Sequence, residues 1–494
     1  MLNAVRSSRG MVTSPHHLAS SAGLQVLRAG GTAAEAAVAT AATLAVVYPH
    51  MNSIGGDSFW LVSEPGADPV AVDACGRAAG RADVELYRQQ GFERIPWRGP
   101  LAANTVAGTL SGWARVLELG GAGMSLDAVL GEAIRLAEEG VVAGAGLSEM
   151  VAAKQAELEA LPGFAEVFLP GGDPIGCGQR LMQPALARTL RRLASDGLDS
   201  FYRGALAEDF AADLEAAGSP VGLEDLRAHR ADTVAPLSVS VSGARLFNLP
   251  PPTQGVASLL ILALFDRLEC ERGESFEHLH GLIEATKQAF RVRDAHVGDP
   301  GAWSAQAVLD DWRGLDRMAG RIDPRTAAPW PPSPIGGDTV WFGVIDAEGR
   351  AVSAIQSTYF EFGSGLALPR TGVIWQNRGC SFSLAGEGPN QLKPGAKPFH
   401  TLNPAMARFD DGRVMVYGTM GGEGQPQTQA AVFSRYARFG QDLQQAVTAP
   451  RWLLGRTWGD DATNLKLEDR FPRALVDRLR APAMTSRWSP RSPA

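Results

Sequence analysis

Cysteine is scarce in this sequence: Cys75, Cys177, Cys270 and Cys380 are the only four in 494 residues. They are too few and too far apart for a disulfide framework or a zinc cage. Basic runs are missing as well. With 46 Lys and Arg against 53 Asp and Glu the formal charge is −7, and without clustered cations to neutralise phosphate nothing favours a nucleic-acid partner. Long hydrophobic runs are also lacking. The longest, residues 36–48 (AAVATAATLAVVY), falls short of the about 20 residues that span a bilayer; it reads as a buried Ala-rich helix, and no membrane partner is expected. Two arginines near the N-terminus precede no apolar segment, so no signal peptide is read and the cytoplasm is the default address. No internal repeat of fixed period is visible.

What is present is ordinary globular composition, 45% hydrophobic and 20% charged, on a length that allows about three domains or one large α/β unit. The 56 Gly and 32 Pro imply many tight turns. His278 and His280 form an HxH pair, but no third ligand accompanies them and they open a helical pattern, so packing or capping explains them better than a metal. The Gly-rich stretches GGAGMSLDAVLG and GTMGGEGQPQ lack both GxGxxG spacing and a P-loop Gly-Lys-Ser/Thr, and no cofactor is expected.

Periodicity predicts helices over 15–30 and 32–48, then two short strands in MNSIGGDSFWLV and VAVDACGRA. About residues 105–300 read as mainly helical, interrupted by an alternating strand and a proline-rich turn in APLSVSVSGARLFNLPPPTQG. Five prolines crowd residues 324–334, a composition break. After it, TVWFGVID, the turn residues AEG and RAVSAIQSTYF predict a β-hairpin.

The loop Ile335-Gly336-Gly337-Asp338 leads into Thr339, at the first position of that hairpin. A Thr there is ordinary β-propensity unless the chain is cut before it. A cut would give Thr339 a hydroxyl nucleophile and a free α-amine in one residue. That amine titrates near pH ~8 and can take the hydroxyl proton. No GxSxG elbow competes for the role. The run Gly418 to Gly424 offers closely spaced backbone N–H groups suited to an oxyanion, or is an ordinary glycine turn.

In order and spacing, GMVTSPHHLASSAGLQVLRAGGTAAEAAVA, NTVAGTLSGW, LPPPTQG, HLHGLIEATKQAFRVRDAHVGDP, GGDT, FGSG, PGAKPFHTLNPAM and GTMGGEGQPQTQ resemble the γ-glutamyltransferase family of self-processing N-terminal-nucleophile enzymes over nearly the full chain. The resemblance implies an α+β fold, a four-layer αββα sandwich with an additional helical lobe. It implies autocleavage between Asp338 and Thr339, giving a large subunit, 1–338, and a small one, 339–494, from one precursor, with a higher oligomer left open. It makes Thr339 the nucleophile, Gly421 and Gly422 the oxyanion hole, and Ser357 the supporting hydroxyl.

The departures are as informative. Cys75 stands where the family keeps its glutamyl-binding Arg. Cys380 and Ser381 replace the paired Asp residues that hold the glutamyl amino group, His400 and Thr401 replace a Ser-Ser pair, and Val340 replaces the Thr after the nucleophile. The clamp for an α-amino acid head is gone, and the substitutions resemble those of the oxamate-hydrolysing subgroup. Oxamate carries one carboxylate beside its amide and no ammonium. Arg77 and Arg378 are candidates to fork that carboxylate or are structural charges; Asn377, His400 and Thr401 are candidate neutral donors, though His400 equally suits the core. The expectation is an amidohydrolase converting oxamate to oxalate and ammonia. Alternatives are a γ-glutamyl hydrolase or transferase, a cephalosporin-type acylase, and an unprocessed non-catalytic relative.

Overall fold

The structure, a computed structural model, describes residues 3–121, 123–330, 339–455, 463–480 and 489–491. Asp338, one side of the expected cut, therefore lies outside the described residues. The chain divides into two compact units, Ser8–Val234 with Asp338–His400, and Met1–Ser7 with Ala235–Gly337 and Thr401–Ala494. Each draws on chain from both sides of Thr339, so the expected cut at 338/339 is not a boundary between compact units.

Ten strands make the two main sheets: β1 (Met11–Thr13), β2 (Asp57–Ser63), β3 (Val70–Ala74), β4 (Asp232–Val234), β5 (Leu237–Val241), β6 (Ala244–Asn248), β7 (Val340–Ile345), β8 (Ala351–Ser357), β9 (Ala405–Phe409) and β10 (Val414–Tyr417). The first unit holds a six-stranded sheet in the order β1-β7-β8-β2-β3-β4, antiparallel at every pairing. The hairpin read from the sequence is β7–β8, inside the sheet between β1 and β2. β2 and β8 are buried along their whole length, so both of their faces are covered, and polar residues such as Asp57, Ser58, Gln356 and Ser357 are enclosed with the apolar ones.

One covering layer begins with α1 (His17–Arg28) and α2 (Ala33–Val47). All fifteen residues of α2 are buried, and its small alanines let α1, α3 (Thr109–Leu119) and α4 (Leu126–Glu139) approach closely. The helix starts on a capping box. Thr32 Oγ1 accepts from Glu35 N, and Glu35 Oε2 accepts from Thr32 N at 2.7 Å. Glu35 Oε1 also accepts from Gly123 N and Met124 N, so one buried carboxylate satisfies donors at two helix entries. Helices α5 (Ala145–Leu158), α6 (Pro184–Asp196) and α7 (Ala205–Ala217) extend this unit.

The second unit has a four-stranded sheet, β10-β9-β6-β5, covered by α8 (Gly255–Asp266), against which α9 (Phe276–His296) and α10 (Gly424–Phe433) pack. Both α5 and α8 fall in the span read as mainly helical, though neither is singled out by a period of its own. Gly255 to Phe265 of α8 are all buried, so no polar stripe reveals a 3.6-residue period. The HxH pair is structural. His278 Nδ1 accepts from Glu274 N and Nε2 bonds Ser434 Oγ, while His280 Nε2 bonds the Asp323 carbonyl and stacks on Phe276. Each unit is thus a helical layer on a sheet, the pairing from which the expected αββα class is composed.

Candidate active site

The register of the six-stranded sheet assembles the first part of the site. Val340 of β7 pairs with Gln356 of β8, which sets Thr339 opposite Ser357. Ser357 pairs with Asp57 at the start of β2, and Ser58 with Ala74, which sets Asp57 opposite Cys75. Residues opposite one another present side chains to one face. Thr339, Ser357, Asp57 and Cys75 therefore form a row along one end of the sheet, on strands about 4.8 Å apart. All four are buried. Ser357 Oγ accepts from Tyr359 N at 2.8 Å, which orients its hydroxyl on the strand beside Thr339.

Asp57 is the residue that sequence reasoning missed. Its Oδ1 accepts from Gly76 N, Gly108 N and Gln376 Nε2 at 2.9, 3.1 and 2.9 Å. Gly76 is required by close backbone approach: a Cβ there would stand 1.5 Å from the Val106 carbonyl oxygen. The only signal in the sequence is an acid after Gly55-Gly56, opening a strand with no polar face. Burial raises its pKa to about 6, opposed by those hydrogen bonds.

His400 Nε2 lies 3.1 Å from Asp57 Oδ2, and the Phe59 ring meets it edge-on at 4.7 Å. Burial, then the Arg378 charge, lowers the His400 pKa well below its ordinary value, so the ring is neutral and Nε2–H donates to the carboxylate. His400 is thus a buried donor held by Asp57, which fits the core reading of this residue. Asp57, Cys75 and His400 bring their ligating atoms within 4.8 Å of one another, a donor set of zinc type. The Asp57–His400 hydrogen bond already uses two of those atoms, and the Arg378 charge acts on both His400 and Cys75, so the cluster reads as a hydrogen-bonded unit.

Arg378 is 1% exposed, and its guanidinium carbon lies 3.4 Å over the Tyr359 ring. Tyr359 has φ +83°, an outlier for an aromatic residue and a strain retained where the surroundings over-determine it. That backbone turn, just after Ser357-Thr358, carries the ring under Arg378. Arg77 is placed differently. Its side chain is half exposed, donating to the Gly395 carbonyl and facing Asp232 at 3.9 Å, the structural-charge alternative. Asn377 spends its amide on the backbone, accepting from Phe360 N and donating to Trp97 O. Cys380 and Ser381 fall in a short 3₁₀ turn with Arg378. Burial pushes the Cys380 thiol up to about 12, so neither position supplies a carboxylate or a thiolate.

Thr401, Gly421 and Gly422 belong to the other unit. The carbonyl of Thr401 accepts from Gln254 Nε2 and Asn403 Nδ2. Gly421 and Gly422 have φ +103° and +50°, a left-handed pair that L side chains rarely adopt. At Gly421 a Cβ would meet nothing within 4 Å. The requirement for glycine there is therefore conformational, a positive φ, and not one of space.

The two helix-covered sheets, with a buried threonine opening the β7–β8 hairpin, belong to the fold class of the N-terminal-nucleophile hydrolases, enzymes that act on amide bonds. The chain belongs to the γ-glutamyltranspeptidase family, whose model matches residues 19–491. It is 52% identical over 480 residues to the oxamate amidohydrolase proenzyme of Klebsiella pneumoniae, covering 96% of this chain and 90% of that one. It is 40% identical to a glutathione hydrolase-like proenzyme of Bacillus subtilis, over 97% and 91% of the two chains. Among solved structures, cephalosporin acylase from Bacillus halodurans superposes with a TM-score of 0.91 at 32% identity, covering 100% of this chain and 91% of that one.

Proposed function

We propose that this protein cleaves itself before Thr339 and then hydrolyses oxamate to oxalate and ammonia. The freed α-amine takes the proton of the Thr339 hydroxyl, whose oxygen attacks the amide carbon. The N–H groups of Gly421 and Gly422 stabilise the tetrahedral anion. Ammonia leaves with the proton held on the amine, and water then attacks the resulting ester to release oxalate and regenerate Thr339. Arg378 takes the substrate carboxylate, with Thr401 as a neutral partner, while His400, whose one N–H goes to Asp57, serves the framework with Arg77 and Asn377.

The observation that carries the reading is Arg378, a buried guanidinium stacked on Tyr359, beside Cys380 and Ser381 where the family keeps carboxylates. A planar fork suits one carboxylate, and no anion is supplied at those positions for an ammonium. The relative at 52% identity carries the matching name. The four cysteines are free, which fits the cytoplasm proposed as its address. Ammonia release from oxamate, γ-glutamyl amides and longer acyl amides tests the assignment. Oxamate should be turned over, with γ-glutamyl compounds at least about a hundredfold poorer, because two charge-assisted contacts of about 1.5–3 kcal/mol each are missing. Rapid γ-glutamyl turnover with silence on oxamate would falsify the specificity and leave the Thr339 chemistry standing.

A further inference from the structure

Three helices of the second unit converge on the Gly421-Gly422 loop through a buried polar chain. Arg293 of α9, 0% exposed, donates from Nη1 to Gln254 Oε1 at 3.0 Å and from Nη2 to Glu423 Oε1 at 2.9 Å. Its guanidinium carbon rests 3.8 Å over the Phe290 ring. Gln254, the residue before α8, donates from Nε2 to the carbonyls of Gly422 and Thr401, each at 2.8 Å. Glu423, the residue before α10, is itself 2% exposed. The loop is pinned from inside too, since Gly424 N donates to Gly421 O at 2.7 Å.

Peptide planarity turns these carbonyl contacts into control of the N–H groups. In a trans peptide the C=O and the following N–H point in opposite directions. Holding Gly421 O fixes where Gly422 N–H points, and holding Gly422 O fixes the next peptide plane. Two consecutive glycines are otherwise the most mobile backbone in the region. A buried ion pair adds little to net stability, because desolvation offsets the attraction. What Arg293–Glu423 does add is a fixed geometry on both flanks of the loop.

We infer that Arg293, Gln254 and Glu423 are positioning residues for the oxyanion donors, acting through the Gly422 carbonyl and the Glu423 side chain. The inference rests on the reading of Gly421 and Gly422 as those donors. Such residues leave ground-state binding alone and act where charge develops, because a displaced donor weakens only the tetrahedral state.

The test uses Gln254→Met, which keeps length but removes the amide, with Arg293→Lys and Arg293→Met. Measurements are kcat and KM for oxamate, inhibition by boric acid, which adds to a hydroxyl nucleophile as a tetrahedral anion, and inhibition by oxalate, a planar product. Expected is a fall in kcat of roughly 10–100-fold, with boric acid weakened by the same factor and KM and oxalate inhibition within about twofold. Arg293→Lys should lie between wild type and Arg293→Met, since it keeps charge but loses the fork that joins Gln254 to Glu423. Should Gln254→Met not accumulate as folded protein, Glu423→Gln carries the same expectation. Parallel weakening of boric acid and oxalate, or unchanged kcat, overturns the inference. Gly421→Ala separates the two levels. If it leaves kcat intact the oxyanion assignment itself fails, whereas if it lowers kcat while Gln254→Met does not, only the positioning role fails.

Discussion

At the scale of single residues, the candidate site is a case of chemistry placed by register. Thr339 and Ser357 are eighteen positions apart in sequence, yet the β7–β8 pairing puts them side by side. Thr339→Ala should abolish both self-cleavage and amidase activity, leaving one band on a denaturing gel, because one hydroxyl serves both steps. Two bands from that variant would remove Thr339 from the role. Arg378→Lys keeps the charge but loses the planar fork and the stacking on Tyr359. It should raise KM for oxamate roughly tenfold, worth about 1.4 kcal/mol, with kcat little changed. A fall in kcat alone would place Arg378 outside the carboxylate contact.

At the scale of elements, close helix packing depends on small residues at the crossings. In α1, a Cβ on Gly23 would lie 2.3 Å from Thr40 Oγ1 and 2.9 Å from the Ala36 carbonyl oxygen of α2. The first contact could yield by side-chain rotation; the second is backbone and cannot. Gly23→Ala should therefore cost about 1–3 kcal/mol through overpacking, despite the better helix propensity of alanine. Urea denaturation reads this directly, and a stabilised variant would show that α1 shifts freely on α2. Both the helix and its burial were legible from the alanines of residues 36–48, and all fifteen residues of α2 are buried. The Thr32–Glu35 capping box and the tie from Glu35 to Gly123 and Met124 were not, because they depend on side-chain geometry and a distant loop.

At the scale of the whole molecule, buried histidines dominate the response to acid. Burial lowers His50 and His229 to about 4 and His278 to about 3, and His400 falls well below its ordinary value. Each accepts a proton near pH 6.5 in the unfolded chain but not in the folded one. Their stabilising contribution is therefore complete above about 6.5 and is lost as pH falls toward 4, at about 1.4 kcal/mol per pH unit for each group. Asp57 opposes them. Its folded value is raised to about 6, so its ionisation withdraws stability as pH rises from about 4 to about 6. His16, also lowered to about 4 by burial, adds to the histidines, while burial raises Asp73, Asp213 and Glu361 with Asp57. Because the histidines act from the higher pH, the urea midpoint should fall between pH 7 and pH 5; a flat or rising profile would mean that these histidines are charged in the folded protein.

The sequence by itself marked the candidate nucleophile, the hairpin that carries it, the glycine pair and the substitutions at the amino-acid clamp. Each is written in local order: a Thr after a glycine loop, alternation in two arms, substitutions inside recognisable motifs. The tertiary structure alone decided what depends on distant partners. Asp57 looked like one acid among many until three backbone and amide donors and His400 met on it. Arg77 and Arg378 were equivalent as letters, and burial separated them, one half exposed beside Asp232 and the other enclosed over Tyr359. Gln254, Arg293 and Glu423 lie far apart in the chain, each inside a stretch that carries the family resemblance, and only the packed structure shows that they meet. Periodicity reports which face of an element is buried, but only the packed structure fixes which polar groups meet there and which backbone they hold.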